Sequence, residues 1–211
     1  MKHRPYYYYL KMIRRHQRFV FNGKSYKYFV CRTNYSFISE RIVEVPIFWD
    51  IIQEYRGKDI LEVGNVLSYY HNFQHDVVDK YEHSFGVTNE DIVTYAPGRL
   101  YDCIVSISTL EHVGFDESPK DPGKVCSAVT AIKKLLKPGG LLAVSIPVGY
   151  NRHLDIRFHD GSLGMDEVHC LKRTSRLNKW KEVSSEEVKN KAFNKPYPYA
   201  NAILVGFWKN R

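Results

Sequence analysis

Three apolar runs and one amphipathic stretch predict an α/β protein with a mostly parallel, doubly wound sheet. "DILEVG" (59–64), "YDCIVSIS" (101–108) and "LLAVSIPV" (141–148) are nearly continuous apolar runs, the pattern of strands covered on both faces. "KVCSAVTAIKKLLKPGG" (124–140) lies between the last two. It places Val125, Val129, Ile132, Leu135 and Leu136 on one helical face and stops at Pro138-Gly139-Gly140. Strands alternating with a helix imply right-handed crossovers and parallel pairing.

The elements follow in order. Residues 1–39 read as a basic, aromatic arm containing the run Tyr6-Tyr7-Tyr8-Tyr9. Alternation of Tyr26, Tyr28 and Val30 favours a short strand there. In "SERIVEVPIFWDIIQEY" (39–55) Pro46 interrupts the pattern, so a helix is expected from Pro46 to Tyr55, with proline in its first turn. The predicted division is an arm or cap over residues 1–45 and a catalytic-type domain over 46–211. "DVVDKYE" (76–82) is the second strand of the domain. "DEVHCLKR" (166–173) and "YANAILVGFWK" (199–209) are two late strands separated by a charged segment, expected to close the sheet as an antiparallel hairpin.

Composition narrows the classes. At 44% hydrophobic residues over 211 positions, the chain can bury a core. No apolar run reaches the roughly 18 residues of a membrane span. The N-terminus has charges scattered through it, unlike a secretory leader. Four cysteines (Cys31, Cys103, Cys126, Cys170) without C-x-x-C spacing suggest a reduced, cytoplasmic protein. The net charge of +8 is uneven. Residues 1–39 carry nine Lys/Arg and no Asp/Glu, 40–170 carry twelve basic and twenty acidic residues, and 171–211 carry ten and three. Two basic ends therefore flank an acidic middle.

Ligands of open α/β sheets bind outside the carboxyl ends of the strands, near the switch in strand order. This directs attention to Gly64-Asn65, Asp79, Ser106 to His112, and Pro147 to Asn151.

Three pieces together make the chain resemble the class I S-adenosylmethionine-dependent methyltransferases, over roughly residues 46–211. They are "DILEVGN", "YDCIVSISTLEHVG" and "LLKPGGLLAVSIP". The resemblance implies a Rossmann-like fold and S-adenosyl-L-methionine as cofactor. The family's glycine motif is altered: Glu62 and Gly64 match, but Val66 and Ser68 stand where later glycines are usual. Only fifteen positions separate Gly64 from Asp79, so the first crossover helix must be short, and "NVLSYYHNFQH" (65–75) becomes a candidate pocket wall. Carried over position by position, the resemblance gives Glu62, Gly64 and Asn65 to the cofactor turn. It gives Asp79 to the ribose hydroxyls, with Glu82 as the alternative. Asp91 is assigned to the adenine amino group, with Asn89 as the alternative, and Ile92 to the ring face. Ser106 is assigned to the amino-acid end.

Methyl transfer needs a positioned acceptor and often a base. His112 is the candidate base, with Glu111 orienting it or acting alone. Tyr150, Asn151 and His153 are candidate acceptor contacts. His71, His75 and Asp79 follow i, i+4, i+8 spacing, but a strand at Asp79 breaks the helical geometry a metal would need, so no metal is expected. "GNVLSY" lacks the G-x-G-x-x-G of nicotinamide enzymes. The expected function is methylation of an oxygen or nitrogen on a small or glycan-like acceptor. The alternatives are a non-catalytic protein of the same fold serving as a binding subunit, and an RNA-directed methyltransferase. For the last, "YYYYLKMIRRHQRF" and "KRTSRLNKWK" are the nucleic-acid candidates. A basic, aromatic arm also suits a membrane surface.

Overall fold

The computed structural model describes residues 4–72 and 74–211. Eight strands form the main sheet: β3 (Ile60–Val63), β4 (Asp76–Val78), β5 (Val87–Thr88), β6 (Tyr101–Ile107), β7 (Leu136–Pro147), β8 (Glu167–Arg173), β9 (Trp180–Val183) and β10 (Ala202–Lys209). Their order is β5-β4-β3-β6-β7-β10-β8-β9. The first five are mutually parallel; β10 pairs antiparallel with β7 and β8, and β8 with β9. The chain builds outward from β3 in one direction through β4 and β5, then returns to build β6 and β7 on the other side. The strand order therefore reverses between β3 and β6, with both carboxyl ends on one edge.

Period-two alternation divides the core. Leu61, Val63, Ile104, Leu142 and Val144 face helices α3 (Lys124–Lys134) and α4 (Arg152–His159) through Val129, Ile132, Leu154 and Phe158. Ile60, Cys103, Val105, Ala143 and Val205 face the other way, against α2 (Arg41–Glu54). Both layers are closed, as a parallel sheet requires.

The late strands are more than the expected pair. β8 and β10 do pair antiparallel, but the charged segment between them also forms the edge strand β9. Its one fully buried side chain is Trp180, at 2% exposure, so its sequence carries little apolar signal.

Helix α2 starts at Arg41, earlier than Pro46 suggests. Proline at the sixth helical residue removes the amide that would bond to the Ile42 carbonyl. The Phe29 amide takes that carbonyl at 2.9 Å. A distant segment thus repairs the interruption that the local sequence advertises.

Residues 4–40 include α1 (Arg4–Arg14), which buries Tyr7 and Leu10 beside Phe37, and a hairpin of β1 (Arg18–Phe21) and β2 (Lys24–Lys27). Asn22 and Gly23 turn it, both at positive φ, the requirement of a two-residue hairpin loop. Phe19, Phe21 and Tyr28 pack into the α2 face of the core with Trp180. The basic N-terminal segment therefore meets the basic C-terminal one: Tyr6 donates to the Arg176 carbonyl and the Asn22 amide to Glu182. No described helix is long and apolar enough to cross a membrane, and all four cysteines are free thiols.

Candidate functional site

Among the described residues, the short β3–β4 connection contains one 3₁₀ turn, Leu67–Tyr69, and no α-helix. Glu62 explains how it holds without the later glycines. Its carboxylate is fully buried at the end of β3. Oε1 accepts the Val66 and Leu67 amides, each at 2.8 Å, and Oε2 meets His75 Nε2 at 3.0 Å. The carboxylate thus ties down the start of the turn, and Glu62 is a turn holder. Val66 packs into the α2 side of the core. Gly64 sits at φ +86°, and a Cβ there would lie 2.1 Å from Thr109 Oγ1. Its own amide donates to the Val78 carbonyl, which draws β4 alongside.

A cavity of about 500 Å³ opens at this carboxyl edge, between the ends of β3, β4 and β6. Gly64, Asn65, Asp79, Asp91, Ile92 and His112 all line it. Its volume falls in the usual range for small-molecule sites, roughly 300–1,000 Å³. A larger hollow of about 880 Å³ lies at the opposite edge, against Lys58, Ile60 and His75 at the amino ends of β3 and β4. The carboxyl edge at the reversal of strand order is the one where such sheets bind ligands.

The acidic wall is built by hydrogen bonds within the chain. Asp79 Oδ1 accepts the Tyr81 and Glu82 amides at 2.9 Å, and Oδ2 accepts the Asn65 amide at 3.2 Å. Glu82 Oε1 accepts from Asn65 Nδ2, Tyr69 and Ser84, while its Oε2 makes no hydrogen bond among the described residues. Glu82, the alternative ribose acid, therefore has the freer oxygen. Asn89 donates to the carbonyls of Asp79 and Glu82 and does not line the cavity. Asp91 accepts from Lys124 at 2.6 Å, pairs with Lys80 at 3.0 Å and accepts the Val93 amide. Burial raises its pKa, but the two lysines and that amide outweigh it and hold the carboxyl at about 2. Asp91 is thus engaged with lysine from the cavity floor. Ile92 is buried beside it, at 6% exposure.

Two serines exchange places. Ser106 is fully buried inside β6, where its Oγ donates to the Val63 carbonyl, and it does not line the cavity. Ser108, two residues later at φ +39°, does line it and donates to Glu44 Oε1 at 2.6 Å.

The segment after β6 turns through a 3₁₀ turn, Leu110–His112, which sets Glu111 inward and His112 outward. His112 is half-exposed at the rim and hydrogen bonded through Nδ1 to Asp116, which also accepts from the Tyr150 hydroxyl at 2.7 Å. The Tyr150 ring lies edge-on to the imidazole, with centroids 4.8 Å apart. Glu111 is 1% exposed and its carboxyl is pushed well above the ordinary range by burial, despite Arg41 nearby. That favours its protonated form over an ionised base. Asn151 is the N-cap of α4, accepting the His153 and Leu154 amides and donating to the Glu111 carbonyl at 3.0 Å. It is a buried cap, so its side chain is already committed. His153 lies exposed on α4, outside the cavity wall. The histidines of the metal spacing separate: His71 stacks on Trp49 at 3.9 Å, and His75 meets Glu62.

Arg41 lines the cavity and is absent from the sequence expectations. Its Nη1 pairs with Glu44 Oε2 at 2.5 Å. The cue would have been a lone arginine among the acids of "SERIVEVP", but only the early start of α2 brings it to the strand ends.

Among solved structures, a S-adenosylmethionine-dependent methyltransferase from Archaeoglobus fulgidus overlays 82% of this chain and 96% of its own, with a TM-score of 0.50 at 14% identity. The chain has the class I methyltransferase fold. The N-methyltransferase NodS from Bradyrhizobium japonicum WM9, in complex with S-adenosyl-L-homocysteine, aligns over 81% of this chain and 91% of its own, at 14% identity and a TM-score of 0.48. No protein-family profile and no curated protein matches the sequence. Within the methyltransferase fold, this chain keeps the first glycine and replaces the later ones with a turn fastened by Glu62.

Proposed function

We propose that this protein is an S-adenosylmethionine-dependent methyltransferase acting on an oxygen or nitrogen of a small or glycan-like acceptor. The observation that carries the proposal is the 500 Å³ cavity at the carboxyl edge of β3, β4 and β6, entered over the Gly64 turn. Its donor set suits the cofactor. Val63, Val78 and Ile92 offer an apolar floor for a purine ring, and Glu82 offers an unfilled carboxylate oxygen to a vicinal diol. Arg41 offers a guanidinium to a carboxylate. When bound, S-adenosylmethionine supplies an electrophilic methyl group on a positively charged sulfur. From a hydroxyl acceptor His112 would take the proton at Nε2, while Asp116, itself held by the Tyr150 hydroxyl, fixes its ring through Nδ1. Asn151 and Glu111 position that rim from below.

One observation favours a second reading, a binding protein that has lost catalysis. Asp79 and Asp91 are already engaged by donors of the chain itself. Thermal unfolding with S-adenosylhomocysteine separates the two. At about one hundred times its dissociation constant the ligand adds roughly 2.7 kcal/mol, several degrees for a chain of this size. The catalytic reading expects that shift in the wild type and its loss in Glu82→Gln. No shift and no heat of binding at millimolar ligand would leave the second reading.

A further inference from the structure

A second cavity, of about 230 Å³, adjoins the first and shares Arg41, Asn65 and Val66 with it. Ser39 and Glu40, just ahead of α2, complete its wall together with Tyr69, Tyr70 and Tyr199. Taking the methyltransferase reading above as its basis, we infer that this cavity holds the methyl acceptor, and that the acceptor is a small amine bound as its ammonium between the tyrosine rings and Glu40.

Charge is the first argument. Glu40, Glu44 and Glu111 are 7%, 0% and 1% exposed, and the Arg41 guanidinium, paired with Glu44 at 2.5 Å, acts electrostatically on all three. Buried charges are paired or given up; with Glu111 protonated and Arg41 paired to Glu44, Glu40 has no cation in contact among the described residues. Burial and the neighbouring Glu44 push the Glu40 carboxyl upward against the pull of Arg41, as a missing counter-charge would. An ammonium in the second cavity supplies it.

The second argument is an unused polar atom. Ser39 is 4% exposed, lines this cavity, and its Oγ is buried without a hydrogen-bond partner among the described residues. Most buried hydroxyls in proteins find a partner, and an ammonium N–H is a donor of the needed kind. The third argument is the wall. Aromatic faces attract cations through their ring quadrupole, and they do so most strongly where water is excluded. Tyr69, Tyr70 and Tyr199 give a cavity this small an unusually aromatic lining.

The transfer balances with these groups. The bound ammonium gives one proton to the Glu40 carboxylate and becomes a free amine. Its lone pair forms the new N–C bond as the methyl–sulfur bond of the cofactor breaks. That bonding pair returns to sulfur, leaving a neutral thioether and an N-methylated ammonium.

The test uses cyclohexylamine, charged at pH 7, and its neutral isostere cyclohexanol, titrated calorimetrically into the full chain loaded with S-adenosylhomocysteine. The inference expects the amine to bind at least tenfold more tightly than the alcohol. Glu40→Gln should remove that preference while binding S-adenosylhomocysteine as the wild type does. Tyr70→Leu leaves the carboxyl cluster intact and should weaken the amine more than the alcohol, so it carries the test if the Glu40 variant does not fold. Equal affinities for the two probes, a preference that survives in Glu40→Gln, or equal losses in Tyr70→Leu would overturn the amine inference and leave the methyltransferase reading standing. Failure of wild-type protein to bind S-adenosylhomocysteine would sink that reading, and the inference with it.

Discussion

Gly64 meets two separate demands. Its φ of +86° lies where only glycine is at ease, and Thr109 occupies the space a Cβ would need. Gly64→Ala is therefore expected to cost about 2–4 kcal/mol, combining backbone strain with a steric clash. Urea denaturation should show a lower midpoint at an unchanged slope, and the 500 Å³ cavity should lose its ligand. Asp155 is a different case. Burial pushes its carboxyl up to about 6, although the Gly149 amide and Arg152 pull it down. Between about pH 4 and 6 the folded chain then holds a proton that the unfolded chain, with an ordinary value near 3.9, has lost. Folding takes up a proton there, so stability falls as pH rises through that window, by up to about 3 kcal/mol. Asp155→Asn should flatten the slope and raise stability at pH 8, which melting curves across pH 4–8 will reveal. At this scale the sequence was readable in type but not in depth. Ser106 and Ser108 look alike in "VSIST"; only the point where β6 stops decides which one meets the cavity. Asn151 resembled a pocket residue because a cap and a ligand contact use the same side-chain chemistry.

Among the elements, legibility followed apolar pattern. β3, β6, β7 and β10 are covered on both faces and stood out as continuous runs. β9 did not, because an edge strand needs only Trp180 inside. α4 was also missed: "RHLDIRFH" buries Leu154, Asp155 and Phe158, and a carboxyl on the inner face hides the helical period. The start of α2 was misplaced because Pro46 signals a boundary, whereas Phe29 supplies the Ile42 carbonyl with a donor from outside the helix. This makes Pro46→Ala a mild change. The restored amide must share a carbonyl already satisfied, so stability should move by less than about 1 kcal/mol, against the roughly 3 kcal/mol of an unrepaired helix interior. A gain near 3 kcal/mol in chemical denaturation would show that the Phe29 bond contributes nothing.

Across the whole molecule, the two basic ends converge. α1 and the β1–β2 hairpin lie against β9 and the loop before it, while Asp79, Glu82, Glu90, Asp91, Asp116 and Glu117 line the carboxyl-edge cavity. Charge counting along the chain foresaw separate basic ends but not that they meet, since β9 had no visible signature. The N-terminal segment is also part of the core. Phe19, Phe21 and Tyr28 are 4%, 2% and 7% exposed. Losing one large buried aromatic typically costs about 3–5 kcal/mol, and whole domains hold only about 5–15. Deleting residues 1–28 should thus leave a chain without a cooperative melting transition; a truncated protein that melts like the wild type would reduce the segment to a dispensable cap.

The Glu62 carboxylate has a kinetic consequence. In a glycine-rich turn the backbone waits for its ligand to order it. Here two amides are already locked to a buried anion, so the turn is formed before anything arrives. Hydrogen exchange at Val66 and Leu67 should be slow in the free protein and change little on saturation with ligand. Association should then resemble a key entering a finished lock, with little ordering entropy left to lose at the moment of encounter.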